Sequence, residues 1–492
     1  MTFSVLMTTE GTYPYGAGGV STWCDALLRN TPDVRYTLLP VMMNPHIEAK
    51  FEPPSNVRRI INVPLWGIEE PAEFTTAAPF ADLHERKRRT TDALIAHEFI
   101  PLFRRFLDCV NNQTSDLGPL LVEMEDYFHR RDYNETFKSL PVWETFAEVM
   151  LAYSRRMANA LPHDAREHQI PTLFDLTESL RWLYRFLIVL NVRVPQTDVT
   201  HTTAAAFCGI PCITAKIRRG TPMIVTEHGV YLREQNLFLS RFRRLFFCKQ
   251  FLLNLITSIV RANYAHGDVV APVCHYNTRW ELAHGTPQHK IRVIYNGVDP
   301  DLFAPAPKPH RDLHVVATAR IDPLKDIETF LQVAARIRDG VRFTIHGSVA
   351  DDDYYKKCLA LRHELKLDDV VAMGSATEDV VAAYRDADVV LLTSVSEAFP
   401  YSVIEAMSCE RAVVASDVGG VSEALEDCGL LVKPRDVDGF VAAVRQLLDD
   451  PALRARQARR GRQRVLDEFR LDHCIASYLD LYRGLARARA AA

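Results

Sequence analysis

Two doubly wound α/β domains, the first interrupted by a long helical insertion, are the fold class this sequence predicts, and three observations predict it. From about residue 313 onward, short apolar runs alternate with helix-patterned text six times in about 140 residues, the pattern of a parallel sheet covered by helices on both faces. The N-terminus writes the same grammar once and resumes it near residue 198. Between the two passages, roughly residues 66–195 hold few strand-like runs and much charged, helix-patterned text.

Taken in order, "FSVLMTT" reads as a first core strand, followed by a glycine-bearing loop and the helix-like "VSTWCDALLRN". The insertion is typified by "LHERKRRTTDALIAHEFIPLFRRFLDCV" and "LTESLRWLYRFLIVL". Strand grammar returns with "DVTHTT", "PMIVTEHG" and "DVVAPV". Within this half, "LSRFRRLFFCKQFLLNLITSIVRANY" sets Arg241, Arg243, Arg244 and Lys249 among large apolar residues, and reads as a helix or helix pair packed in the first domain, or docked on a partner. The proline-rich "YNGVDPDLFAPAPKPHRD" (295–312) is the best linker candidate. It divides the chain into a domain over 1–304 and a second over 305–465. The six strand–helix units run from "LHVVATA" to "GFVAAVRQLLDD". After them, residues 466–492 keep helical periodicity through Phe469, Cys474, Tyr478, Leu481, Tyr482 and Leu485. The second sheet does not need this stripe, so it is expected to cross back to the first domain.

Composition excludes several classes. A hydrophobic fraction of 48% with 24% charged residues is that of a core-forming globular chain. The 58 basic and 62 acidic residues leave a net charge of −4, so no global field draws nucleic acid or anionic lipid, and no nucleic-acid partner is expected. The ten cysteines include no CxxC pair, only "CGIPC" with Cys208 and Cys212 close together, and read as reduced core thiols. The N-terminus lacks a basic segment followed by a long apolar one, and "FLLNLITSIV" is far shorter than a bilayer span. The expected setting is soluble, reducing and cytoplasmic.

Ligands of open parallel sheets bind beyond the carboxyl ends of the strands, and the sequence concentrates chemistry there. After the first strand, Gly16, Gly18 and Gly19 precede a helix, where close backbone approach and helix-terminal N–H groups suit a phosphate, although a loop that merely needs positive φ reads the same. Arg320 and Lys325 in "TARIDPLKDIETF" sit where a helix begins, an end whose dipole disfavours cations unless an anion joins them. Glu397 and Glu405 in "SVSEAFPYSVIEAMSCE" are eight residues apart, one on a loop and one in the first turns of a helix behind Pro400. Two acceptors beside helix-terminal donors suit a polyhydroxylated ligand whose phosphates are held elsewhere. In "PMIVTEHGVYLRE", Glu227 and His228 end a strand and point toward the same cleft, with His201 of "DVTHTT" the competing histidine.

Taken together, "ARIDPLKDIETFL", "SVSEAFPYSVIEAMSCERAVVASDVGGVSEAL" and "YNGVDPDLF" resemble the retaining nucleotide-sugar glycosyltransferases of family 4, whose GT-B fold is two facing Rossmann-like domains. The agreement spans about residues 290–450, with the Glu-x7-Glu spacing complete. "LMTTEGTYPYGAGGVSTWCD", the insertion and "TEHGVYLREQ" are more narrowly similar to the Pel exopolysaccharide glycosyltransferases, the PelF family, linked to UDP-glucose and biofilm matrix synthesis.

The resemblance implies roles for particular residues. Arg320 and Lys325 would hold the diphosphate and Glu405 the ribose hydroxyls, with Glu397 at the donor sugar beside the Ala398, Phe399 and Pro400 backbone. Gly18 and Gly19 would close on the donor phosphates, His228 would touch the sugar near the reacting carbon, and Ser375 and Ala376 would flank the base. The catalytic set is then His228, Glu397, Arg320 and Lys325, with no metal and no cofactor, the UDP-sugar being a co-substrate. The implied partners are a UDP-sugar donor, a polysaccharide acceptor and an inner-membrane polysaccharide synthase or export complex, with peripheral membrane attachment through those partners. The alternative is a nucleotide-sugar-binding or scaffolding subunit of such a complex with little catalysis of its own. Short family members lack the insertion over 66–195, so the resemblance fixes no acceptor.

Overall fold

The opening apolar run becomes β1 (Phe3–Glu10), a strand buried on both faces along most of its length, as expected for the centre of a parallel sheet covered on two sides. A computed structural model describes residues 3–67, 78–113, 116–159, 170–240, 246–375 and 379–491. They form two compact units. One comprises Met1–Pro272, Trp280–Arg292 and Leu479–Ala492, the other Val273–Arg279 and Val293–Tyr478.

In the first unit, β1 pairs in parallel with β2 (Val34–Met42) on one side and with β5 (Val199–Thr202) on the other. β2 in turn carries β3 (Val57–Ile60) and the two-residue β4 (Val63–Pro64). β6 (Met223–Glu227) and β7 (Val269–Pro272) complete the sheet, in the order β3-β2-β1-β5-β6-β7. The sequence pattern had marked β1, β5, β6 and β7 but not β2, β3 or β4. Among the described residues between β4 and β5, the elements are helical, including Phe80–Arg89, Ile100–Asn112, Gly118–Arg130, Leu140–Asn159 and Leu173–Phe186. Their core is aromatic: Phe99, Phe103, Phe128, Tyr133, Phe137 and Phe146 are all buried. Ring pairs such as Phe128 and Tyr133, with centroids 4.7 Å apart, hold the helices in register.

The second unit is a six-stranded parallel sheet of β8 (Leu313–Thr318), β9 (Val341–His346), β10 (Val371–Ser375), β11 (Val389–Leu392), β12 (Ala412–Ser416) and β13 (Leu430–Val432). Their order is β10-β9-β8-β11-β12-β13, so the six strand–helix units read from the sequence are the six strands of the sheet. The helix Ile327–Ile337 buries Ile327, Phe330, Leu331, Val333, Ala334 and Ile337, a one-sided stripe of helical period that fixes it on the sheet.

Three expectations are corrected. The division between units falls between Arg292 and Val293, not near residue 305. The start of the proline-rich stretch is part of the second unit: Val298 bridges to Arg470, Phe303 is buried, and Arg462 donates to the Pro300 carbonyl at 3.0 Å. The terminal helix Leu471–Ala491 divides at 478/479 rather than at 465/466. Its last part packs in the first unit, where Tyr482 is fully buried against Phe3 and Tyr36 and Arg489 donates to the Thr197 carbonyl at 2.5 Å. Lys325 lies in a short turn, Pro323–Lys325, rather than in the first helical turn, because Asp326 takes a left-handed conformation before the helix begins.

All ten cysteines are buried. "LSRFRRLFFCKQFLLNLITSIVRANY" spans the end of the helix Tyr231–Ser240 and most of Phe246–His266. The second helix is buried along most of its length in the first unit. Arg241, Arg243 and Arg244 lie outside the described residues. Among the described residues, no helix is long and apolar enough to cross a membrane.

Candidate functional site

In the second unit the strand order reverses between β8 and β11: the chain winds outward from β8 through β9 to β10, then returns to β11 and winds the other way. Such a switch point leaves a crevice beyond the carboxyl ends of the two strands. Arg320 follows β8 directly, Lys325 sits on the turn that comes next, and Glu397 lies on the loop after β11. Lys325 Nζ and Glu397 Oε1 are 2.6 Å apart, with side chains only 20% and 10% exposed, an ion pair well screened from water. The two loops are also joined through the backbone. Val395 N–H donates to the Leu324 carbonyl at 2.8 Å, and Thr393 Oγ1 donates to the Lys325 and Asp326 carbonyls at 3.1 and 3.0 Å. Arg320 differs: its side chain is 53% exposed and reaches Asp322 at 3.3 Å, so it is held loosely enough to turn toward an anion.

The Glu397–Pro400 segment is fixed by residues to which the sequence reading gave no role. Gly420 N–H donates to the Ala398 carbonyl at 2.7 Å, and Asn296 Nδ2 donates to the Phe399 carbonyl at 3.1 Å. Gly419 has φ +60°, and a Cβ there would stand 1.7 Å from the Glu397 carbonyl oxygen, so only glycine permits this approach. Phe399 is buried against Tyr295 and Phe469, with centroids 5.0 and 5.1 Å away. Pro400 caps the helix Tyr401–Ser408, which carries Glu405. Tyr384 OH donates to Glu405 Oε2 at 2.8 Å and lies 2.5 Å from Thr318 Oγ1 at the end of β8. Burial pushes the Glu405 carboxyl up to about 7, against the lowering effect of that tyrosine bond. Tyr384 was missed because a tyrosine in a short helix carries no motif. Asn296, Gly419 and Gly420 stood in quoted motifs without a role, since backbone-bracing contacts leave no charge pattern.

The structure thus brings Arg320, Lys325, Glu397, Ala398, Phe399, Pro400 and Glu405 together in one unit. Ser375 ends β10, two strands away from β8, and Ala376 lies outside the described residues.

The first unit has its own switch point, between β1 and β5. A cavity of about 400 Å³ opens there, lined by Glu10, Gly11 and Thr12 after β1, Thr203 and Ala204 after β5, and His228 after β6. The His228 ring packs edge-on against Trp23 at 4.5 Å, and its Nε2 is buried without a hydrogen-bond partner. Burial lowers its pKa to about 3, which favours the neutral imidazole over the cation. Gly18 caps the helix Gly19–Arg29 at φ +146°, a conformation open to glycine and closed to most side chains.

Two expected cleft residues belong to the core instead. Glu227 precedes His228 and therefore points to the opposite side of the strand, where Tyr264 OH donates to it at 2.7 Å and the fully buried Glu281 meets it. His201 is fully buried between Tyr482 OH at 2.6 Å and Thr226 Oγ1 at 2.7 Å. Among the described residues, no three His, Cys, Asp or Glu side chains form a group that could hold a metal ion.

Comparison with known proteins assigns the two halves separately. Residues 3–289, more than half of the chain, match a domain of unknown function, DUF3492, and residues 298–464 match the glycosyl transferases group 1. The D-inositol 3-phosphate glycosyltransferase of Mycolicibacterium smegmatis is 30% identical over 211 residues, 40% of this chain and 48% of that protein. The MMP alpha-(1->4)-mannosyltransferase of Mycolicibacterium hassiacum is 31% identical over 210 residues, 41% of this chain and 50% of that protein. The chain spans about half the length of these curated relatives. The solved sucrose-phosphate synthase of Thermosynechococcus elongatus has a TM-score of 0.62 at 18% identity, covering 99% of this chain and all 100% of its own. Anabaena HepE, solved in complex with UDP and glucose, has a TM-score of 0.59 at 14% identity, covering 97% and 99%. At these identities the likeness is one of fold, the GT-B class with two parallel-sheet α/β domains. The chain belongs to the DUF3492 family, and residues 298–464 are similar to the glycosyl transferases group 1.

Proposed function

We propose that the protein transfers a hexose or N-acetylhexosamine from a UDP-sugar to a saccharide acceptor, with retained anomeric configuration. The observation that carries the reading is the constellation at the second unit's switch point: two cations and two carboxylates, Lys325 and Glu397 paired at 2.6 Å and Glu405 held by Tyr384. In this reading Arg320 and Lys325 hold the diphosphate, Glu405 accepts from the ribose hydroxyls and Glu397 from the donor sugar. As the C1–phosphate bond breaks, an oxocarbenium-like centre forms. The departing phosphate oxygen, on the same face, accepts the proton of the incoming hydroxyl while that hydroxyl's oxygen bonds to C1. Charge stabilisation of the leaving diphosphate by Arg320 and Lys325 supplies much of the rate, in the role a metal ion plays elsewhere. His228, neutral and with a free Nε2, is the group offered to the sugar.

The UDP-glucose-like donor is supported by HepE, a protein of the same fold solved in complex with UDP and glucose, and by HepE solved in complex with UDP-glucose. The growing Pel-type exopolysaccharide as acceptor, and a cytoplasmic protein attached at the inner membrane through a synthase complex, rest on the sequence resemblance described above. Incubation of the purified protein with UDP-glucose, UDP-N-acetylglucosamine, GDP-mannose and ADP-glucose tests the reading. It predicts release of UDP from a UDP-sugar, with the α-anomer in the product by NMR. Faster release of GDP or ADP, or an inverted product, would overturn it.

A further inference from the structure

A second cavity of the first unit lies at the opposite edge of its sheet from the switch point, ahead of β5 and β6 rather than beyond their carboxyl ends. Its volume is about 370 Å³, and it is lined by Glu125, His129, Arg193, Val194, Arg218 and Arg219. Three pieces of chain meet there. Glu125 and His129 stand one turn apart on the helix Gly118–Arg130, so they share a face. Arg193 and Val194 belong to the segment that leads into β5, and His129 Nε2 donates to the Val192 carbonyl at 3.3 Å, which ties that segment to the helix. Arg218 and Arg219 end the helix Ile210–Arg219, just ahead of β6.

The charges gathered there do not balance. Glu125 is buried and already committed: Arg218 Nη2 donates to its Oε2 at 2.6 Å and Thr214 Oγ1 to its Oε1 at 2.9 Å. Arg218 also donates to Asp126 Oδ1 at 2.7 Å, so this one guanidinium takes both carboxylates. Arg219 has neither. Its Nη2 reaches only the Pro195 carbonyl, at 3.4 Å, and its Nε is buried without a hydrogen-bond partner. Arg193 is exposed and, among the described residues, pairs with no carboxylate. The Arg489 guanidinium, whose charge Arg219 also feels, is turned to the Thr197 and Asp198 carbonyls, while the Asp198 carboxylate is turned away to Ser4 at 2.7 Å. Burial lowers the Arg219 pKa, with Glu125 opposing and Arg218 and Arg489 adding to the fall.

Four guanidiniums against two carboxylates leave a surplus of two positive charges, and the least satisfied of the four points a desolvated N–H at no acceptor. A helix-end dipole accounts for cations in the last turn of Ile210–Arg219. It does not account for a buried donor left unpaired, whose lost hydration stays uncompensated until an acceptor arrives. The missing partner must carry more than one negative charge and several acceptor oxygens. A phosphate group has both, and guanidinium forks bind its oxygens two at a time. The cavity falls within the size range of small-molecule sites.

We propose that this cavity is an anion site that binds a phosphate group between Arg193 and Arg219, and that the bound phosphate fastens the helical segment to the sheet. The ligand is inorganic phosphate or the phosphate of a small metabolite. The site lies in the unit that does not carry Arg320 and Lys325, and it stands whether or not the glycosyltransferase reading does.

Calorimetric titration of the full chain with inorganic phosphate and with glycerol 3-phosphate, at an ionic strength held constant with sodium chloride, tests it. Binding should persist in Arg320→Ala, which removes an arginine of the other candidate oxyanion site. In that background, Arg193→Gln and Arg219→Gln should each weaken both probes about tenfold or more, a charge-assisted bond to an oxyanion being lost. Arg193→Gln changes an exposed side chain and leaves the fold intact. Arg219→Lys should restore only part of the loss, because an ammonium keeps the charge but not the fork. Glycerol 3-phosphate binding no tighter than phosphate assigns the site to inorganic phosphate; binding several-fold tighter assigns it to a phosphorylated metabolite. No binding of either probe to Arg320→Ala, or affinities that change less than about twofold in both Arg193→Gln and Arg219→Gln, would overturn the proposal.

Discussion

The two units place different chemistry at the same point of the same architecture. Each is a parallel sheet whose strand order reverses, between β1 and β5 in one and between β8 and β11 in the other. At the second unit's reversal, opposite charges are paired in Lys325 and Glu397, and Glu405 accepts a hydrogen bond from Tyr384. At the first unit's reversal, burial works without counter-charge. Glu10 has its carboxyl pushed up by desolvation and His228 is neutral, and in the core behind them Glu227 and Glu281 meet as two buried carboxyls. The comparison teaches that the doubly wound frame supplies a crevice and nothing more; the residues at the strand ends decide its charge and burial.

The largest effect that would sharpen this contrast separates the two carboxylates of the charged unit. Glu405→Ala should weaken UDP binding about tenfold, a hydrogen bond to a charged group being lost. Glu397→Ala should leave UDP binding within a few-fold and lower donor turnover by about 100-fold or more, as expected for an interaction made with the reacting sugar. Calorimetry with UDP and a UDP-release assay read the two quantities. Equal losses of UDP affinity in both variants would show the sugar to be misplaced.

A smaller effect tests the uncharged unit. Glu227 and Glu281 are fully buried, with carboxyl pKa values raised by burial, and they interact, so the pair holds a proton far above the usual carboxylate range. A raised folded-state pKa means that the folded protein binds more protons than the unfolded chain above pH 4.5. The pair's contribution to stability is therefore greatest at low pH and falls as pH rises from there through neutrality. Glu281→Gln replaces the proton-bearing carboxyl with an amide that does not ionise. Its melting temperature relative to wild type should rise by about 2–4 °C between pH 5 and pH 8. A difference that stays flat with pH would mean that the pair is not burying a titratable proton.

Much of this frame was legible in the sequence. The six units of the second half were read one for one, because each strand is a short apolar run with turn residues at both ends. β3, "VRRI", escaped notice because its four residues include two arginines and it lies at the sheet edge, where one apolar face suffices. β2 runs through Pro40, a residue that argues against a strand unless its missing N–H faces no partner. In the site, Arg320, Lys325, Glu397 and Glu405 were legible because charge at a helix start is conspicuous. Glu10 was not, although it ends β1 and the rule that pointed to Glu397 applies to it equally. Its partners Tyr231 and Cys208 are about 200 residues away, so no local spacing announces them. Glu227 was placed on the wrong side because a strand-end pair reads as one feature, while consecutive side chains point to opposite faces.

The most direct test of the central claim, that the charged switch point of the second unit is a nucleotide-diphosphate site, is a calorimetric titration of UDP into wild-type protein and into Arg320→Ala. Arg320 is the right residue because its side chain is 53% exposed and its ion pair is with neighbouring Asp322, so the variant should melt within about 1 °C of wild type. The account predicts a loss of UDP affinity of about 10- to 100-fold, as expected for a charged donor removed from an oxyanion. UDP affinity unchanged in Arg320→Ala would contradict it.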